Sequence, residues 1–135
     1  MIGLDSSALV AIVNREPERE AFLRIIEASD GCAISALTVL ETRMVVLGRF
    51  GQPGLTDLSV LFDEIGPDIV PFDADQCDAA FRAFQQYGKG MGTAAKLNLG
   101  DCASYALAKT LGVPLLFKGH DFPATDVTPA VPPTR

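Results

Sequence analysis

Short apolar runs of strand length alternate along this chain with longer amphipathic segments, and that alternation fixes the class of fold open to it. Ile2–Asp5 reads as a short buried strand, and Cys32–Ser35, Ile69–Phe72 and Val113–Phe117 as three further strands. Between them lie helical patterns: 8–13 after the hydroxyls Ser6 and Ser7, then 16–28, 37–50, 55–65, 76–87 and 101–111. The second helix opens on Glu16-Pro17-Glu18, where proline suits the first turn and glutamate the positive end of the dipole. In the third, Leu37, Leu40, Met44 and Leu47 recur every three or four residues, which predicts an inward stripe. Gly51-Gln52-Pro53-Gly54 breaks it from the fourth. Asp73 or Asp75 caps the fifth, and Gly112 closes the last. Strands joined by helices predict an α/β fold: a mostly parallel sheet of four strands, with a weak fifth near Val127, covered by helices on both faces.

The 135 residues, 48% of them hydrophobic, fill one domain with a genuine core. That domain is expected over 1–128, followed by a proline-rich tail over 129–135 that frays or lies extended. No apolar stretch reaches the ~20 residues needed to cross a bilayer, and no basic segment precedes the first apolar run as in a signal peptide. Cys32, Cys77 and Cys102 form no C-x-x-C pair, and one histidine is too few for most zinc frameworks. Reduced thiols in a cytoplasmic protein are expected. A net charge of −6 argues against generic nucleic-acid binding, which depends on Lys and Arg. It argues less against a nuclease whose acids hold metal.

Four acids stand where a carboxylate is costly. Asp5 ends the first strand. Glu41 borders the apolar stripe of the third helix, four residues on from Leu37. Asp101 opens the helix leading to the fourth strand, and Asp121 follows that strand. Each has a plain alternative: Asp5 and Asp101 as helix caps, Asp121 as an Asx-turn residue, Glu41 as an ion-pair partner of Arg43, Arg49 or Lys118. Ligands of open α/β sheets sit beyond the carboxyl ends of the strands, where Asp5 and Asp121 lie. Four converging carboxylates would repel one another unless a cation joined them.

The motifs around these acids resemble the PIN-domain endoribonuclease toxins of the VapC type along essentially the whole chain. Ile2-Gly3-Leu4-Asp5-Ser6-Ser7-Ala8-Leu9 is similar to that family's first motif, and Ser35-Ala36-Leu37-Thr38-Val39-Leu40-Glu41-Thr42 to its second. Asn98-Leu99-Gly100-Asp101-Cys102-Ala103-Ser104 resembles the third, and Leu116-Phe117-Lys118-Gly119-His120-Asp121-Phe122 the fourth. His120 departs from the pattern, standing where Asn is more frequent.

The resemblance implies a PIN-like fold and Mg²⁺- or Mn²⁺-dependent hydrolysis of RNA phosphodiesters. Asp5 and Asp101 are then the direct ligands. Glu41 and Asp121 act through water, complete a second metal site or orient the nucleophile. Mg²⁺ suits such a set because it is a hard ion that prefers carboxylate and water oxygens. Asp126 reads as structural. Ser7 reaches the site or substrate unless it only caps, and Lys89, Lys96 and Lys118, with Arg43, are candidate phosphate contacts. The resemblance further implies a homodimer and a VapB-type antitoxin that blocks the cleft, in a heterotetramer or larger assembly.

Two other readings compete. A receiver-like phospho-acceptor domain would use an aspartate after a central strand, as Asp73 follows Ile69–Phe72, and a lysine such as Lys118. It gives Glu41 and Asp101 no role. A catalytically silent interaction protein on the same fold would have no need of all four acids.

Overall fold

A computed structural model of the chain describes residues 1–131. Four strands make one parallel sheet: β1 (Ile2–Leu4), β2 (Cys32–Ser35), β3 (Asp68–Val70) and β4 (Leu115–Leu116), in the order β3-β2-β1-β4. Gly3 pairs with Ala33 on one side and Leu115 on the other, so β1 is central. β1 and β2 are buried throughout, as expected of continuous apolar strands covered on both faces. The chain runs outward from β1 through β2 to β3, then returns to place β4 on the other flank of β1. The order therefore reverses between β1 and β4, which opens a crevice at their carboxyl ends.

The helices are α1 (Ser6–Val13), α2 (Arg19–Ala28), α3 (Ala36–Ile65), α4 (Ala74–Tyr87) and α5 (Leu99–Leu111), with a 3₁₀ turn over Phe122–Ala124. One apolar cluster joins β1, β2, α1, α2 and α3 through Leu4, Leu9, Ile12, Ile26, Ile34 and Leu61. A second joins α4, α5 and β4 through Ala83, Leu97, Ala106, Leu115 and Phe122.

Local chemistry sets most boundaries. Asp5 itself caps α1, accepting the Ser7 N–H at 3.0 Å, so the cap is one residue earlier than the Ser6-Ser7 hydroxyls suggested. Asp73, not Asp75, caps α4 by accepting the Gln76 N–H at 3.0 Å. Gly51, at φ 66° and ψ −158°, leaves the helical region and kinks α3, and Pro53 opens the turn beyond it. α2 begins at Arg19, because Glu16 and Glu18 turn towards Lys118.

Three expectations need correction. The row Leu40, Met44 and Leu47 faces outward, each residue at least half exposed, while Thr38, Val39, Thr42 and Val46 are buried. The row is apolar at helical spacing, but the sheet and α5 meet the neighbouring face. α5 starts at Leu99 instead of Asp101, because Asn98 supplies the cap. No strand forms at Val127; instead Leu115 donates its N–H to the Thr128 carbonyl and Ala130 donates to Leu115, making a single parallel bridge at Pro129. The tail thus begins by lining β4. Its expected continuation over 132–135 lies outside the described residues.

Candidate active site

The crevice beyond β1 and β4 gathers six of the residues singled out in the sequence. Asp5, Ser7, Glu41, Asp101, Lys118 and Asp121 all line one cleft, together with Glu16, Arg49 and Asn98. Each arrives on a different element: Asp5 at the end of β1, Glu41 in the second turn of α3, Asp101 in the first turn of α5, and Asp121 just after β4. Lys89 and Lys96 are not in the cleft. Both are exposed in the segment between α4 and α5, where the Lys89 N–H is spent on the Leu97 carbonyl. Arg43 faces a separate groove with Leu55, Leu58 and Phe62.

Asp5 is almost completely buried, and hydroxyls hold it in place. Its Oδ2 accepts both the Ser7 N–H at 3.0 Å and the Ser7 hydroxyl at 2.5 Å. Its Oδ1 accepts the Ser104 hydroxyl at 2.5 Å. Burial pushes the Asp5 carboxyl above the ordinary range, against the pull of these hydrogen bonds. Ser7 also accepts the Lys118 N–H at 2.9 Å, so it latches the loop after β4 to the end of β1.

Asp101 and Asn98 form a capping box. Asn98 Oδ1 accepts the Asp101 N–H at 2.9 Å, and Asp101 Oδ2 accepts the Asn98 N–H at 3.1 Å. The capping alternative and the cleft position are therefore both true of Asp101, because capping occupies one oxygen only. Burial first, then the charges of Asp5, Asp121 and Glu41, push its carboxyl up to about 7, opposed by the Asn98 N–H. Burial likewise raises Glu41, and the charge of Asp5 adds to it. Glu41 Oε1 is buried with no hydrogen-bond partner among the described residues. Its alternative role, an ion pair with Arg43, Arg49 or Lys118, does not form among them. Asp121 is exposed, and its side chain makes no capping hydrogen bond to the turn it precedes.

Sequence reasoning missed several residues that shape this cleft. Gly100 lies under Glu41: a Cβ there would overlap the Glu41 carboxylate, so only glycine admits that approach. Ser104 sits one turn beyond Asp101 on the face of α5 that meets Asp5. A hydroxyl inside the apolar run Cys102–Ala108 was its available signal. Arg49 lines the wall beyond Val45 and makes no ion pair among the described residues. Lys118 is held away from the acids by Glu16 and by Glu18 at 3.2 Å. Asp126 accepts from Tyr105 and from Lys109 at 3.1 Å, which ties it to α5 outside the cleft.

The donor set suits a hard divalent cation. Among the described residues no three acids close around one point at ligating distance, and Mg²⁺ commonly uses one or two carboxylates and keeps water for the rest. Asp5 Oδ1 retains an open acceptor position, Asp101 has one oxygen outside its capping bond, and Glu41 Oε1 is unpaired. Such unpaired buried oxygens are costly without a cation or water to meet them.

Comparison with known proteins identifies the family. The family model described as the PIN domain matches residues 2–127. The chain is 47% identical over 130 residues to Ribonuclease VapC30 of Mycobacterium tuberculosis, covering 96% of this chain and 98% of that one. Among solved structures, Mycobacterium tuberculosis VapC20, a Sarcin-Ricin loop cleaving toxin, superposes with a TM-score of 0.80 at 16% identity, covering 98% of this chain and all of that one. VapBC2 from Rickettsia felis, bound to a DNA fragment from its promoter, gives 0.72 at 17% identity over 96% of both chains.

Proposed function

The chain belongs to the PIN-domain family, among its VapC ribonucleases, and from that premise we propose that it is a divalent-cation-dependent endoribonuclease, the toxin of a toxin–antitoxin pair. The observation that carries the reading is the convergence of Asp5, Glu41, Asp101 and Asp121, from four separate elements, on one cleft at the sheet's switch point.

Asp5 and Asp101 would hold the cation, Mg²⁺ or Mn²⁺, since each keeps carboxylate oxygen capacity beyond its hydrogen bonds. A divalent cation held there would supply Lewis-acid chemistry, polarisation of water and charge stabilisation at the phosphodiester. Glu41, with an unpaired buried oxygen and a raised pKa, orients the attacking water and accepts its proton. Asp121, exposed at the mouth, acts through water. Arg49, two turns beyond Glu41 on the same wall of the cleft, is the candidate to meet an RNA phosphate. Lys118 is occupied by Glu16 and Glu18 and serves to order the rim.

The VapB-type antitoxin and the homodimer belong to the same proposal. The outward apolar row Leu40, Met44 and Leu47 continues to Leu99, and its groove shares Glu41, Val45 and Asn98 with the acidic cleft. A contact there adjoins the acids directly. An antitoxin arginine entering the cleft would compete with metal for the same carboxylates. The three free thiols fit a reducing cytoplasm, and among the described residues no helix is long and apolar enough to cross a membrane.

RNA cleavage in Mg²⁺ or Mn²⁺, with and without chelator, tests the reading. Wild type should cleave, and Asp5→Asn and Asp101→Asn should not. Cleavage that survives chelation, or that both variants retain, refutes the metal-nuclease function. A folded wild type with no cleavage on any RNA, still bound by a neighbouring small protein, would favour the silent interaction protein.

A further inference from the structure

We propose that Ser104, backed by Thr38, is a positioning residue that fixes Asp5 with its one open acceptor site turned to the cleft. The inference rests on the divalent-cation reading above and extends it to residues that touch neither cation nor RNA.

An ionised carboxylate offers about four acceptor positions, two on each oxygen. On Asp5, Ser7 fills both positions on Oδ2, and Ser104 fills one on Oδ1. The remaining position therefore belongs to Oδ1, the oxygen that Ser104 holds. The Ser104 hydroxyl has a single hydrogen, and Asp5 receives it. Thr38 Oγ1, 3.3 Å from Ser104 Oγ, is then the donor in that pair. Behind it the Thr42 hydroxyl donates to the Thr38 carbonyl at 2.7 Å. Thr38, Thr42 and Ser104 are all fully buried; the Thr38 and Ser104 hydroxyls make a line from α3 to α5 that ends on Asp5, while Thr42 bonds back to the backbone of its own helix.

Three hydroxyls in an apolar interior are an expensive way to fill space, since each must keep a partner. Alanine or valine would pack these sites more simply. What the Thr38 and Ser104 hydroxyls add is direction: Thr38 orients Ser104, and Ser104 helps fix the plane of the carboxylate. Without Ser104, Oδ1 has no side-chain donor among the described residues, and only Ser7, on the other oxygen, still restrains the carboxylate's rotation about its Cβ–Cγ bond. Partners of this kind typically govern metal affinity by tenfold to a hundredfold.

The test is Mn²⁺ titration of the full chain, with free Mn²⁺ read by electron paramagnetic resonance and folding by circular dichroism. Ser104→Ala should weaken Mn²⁺ binding about tenfold or more. Thr38→Val, which keeps Ser104 but removes its donor, should weaken it less, in the same direction. Ser104→Ala that folds and binds Mn²⁺ like wild type overturns the proposal. Should Ser104→Ala fail to fold, wild-type affinity in Thr38→Val overturns it instead. Asp5→Asn separates the two levels of inference. If it binds Mn²⁺ as tightly as wild type, the cation reading falls and takes this proposal with it. If it does not, equal binding by wild type and Ser104→Ala removes this proposal alone.

Discussion

Replacing Asp101 with asparagine should make the metal-free protein more stable at pH 8 while abolishing its cleavage of RNA. The Asp101 carboxyl is pushed from the ordinary 3.8 up to about 7 by burial and by Asp5, Asp121 and Glu41. A raised carboxyl binds its proton more tightly in the folded chain than in the unfolded one. Stability is therefore undiminished below pH 3.8, falls as pH rises towards about 7, and stays reduced above it. At about 1.4 kcal/mol per pH unit the full window corresponds to roughly 4 kcal/mol. Asp101 is half-buried, so solvent screening reduces this to about 2 kcal/mol. Asparagine never ionises, yet its Oδ1 can still accept the Asn98 N–H and keep the capping box. For 135 residues, an unfolding entropy of about 2.1 cal/mol/K per residue converts ~2 kcal/mol into a rise in Tm of about 7 °C. Thermal melts in chelator at pH 8 and pH 5 measure it. The gain should shrink to roughly a third at pH 5, where most of the penalty has yet to develop. Added Mg²⁺ should then stabilise wild type and leave the variant unmoved. A variant less stable than wild type at pH 8, or a difference independent of pH, would refute the reasoning.

Gly100→Ala should cut cleavage by about tenfold or more with little change in Tm, because the gain in helix propensity of about 1 kcal/mol offsets part of the overlap with Glu41; steady-state cleavage and a melt decide it. Leu40→Asp combined with Met44→Asp should leave folding intact and, if the proposed homodimer uses this row, give a monomer by light scattering, since both side chains already face outward. Lys118→Ala should leave the Tm nearly unchanged in a thermal melt, as exposed ion pairs contribute little. Arg49→Ala should weaken RNA binding more than Lys118→Ala does, measured with a non-cleaving Asp5→Asn background.

The cleft was legible where short-range pattern decides. Asp5 ends an apolar strand, Glu41 borders a helical stripe, and Asp121 follows a strand; these follow from order along the chain. Asp101 was legible as a helix-opening acid, but not as the partner of Asn98. Lys89 and Lys96 lie outside the cleft, and the sequence did not show it, because charge and nearby glycine say nothing about direction. Ser104 and Gly100 stood inside the quoted motifs yet had no assigned role. Their importance depends on Asp5 and Glu41, which come from other elements.

The sequence by itself determined the α/β class, the order of elements and the identity of the four acids. Strand and helix periods, caps and breakers act over a few residues and leave their mark locally. Only the tertiary structure decided which face of α3 meets the sheet, and it left Leu40, Met44 and Leu47 outside. An apolar stripe records that a face can be buried, but not against what. The tertiary structure also decided which Asp5 oxygen is open, because its donors, Ser7 and Ser104, are separated by 97 residues in the chain and meet only when α5 packs against β1.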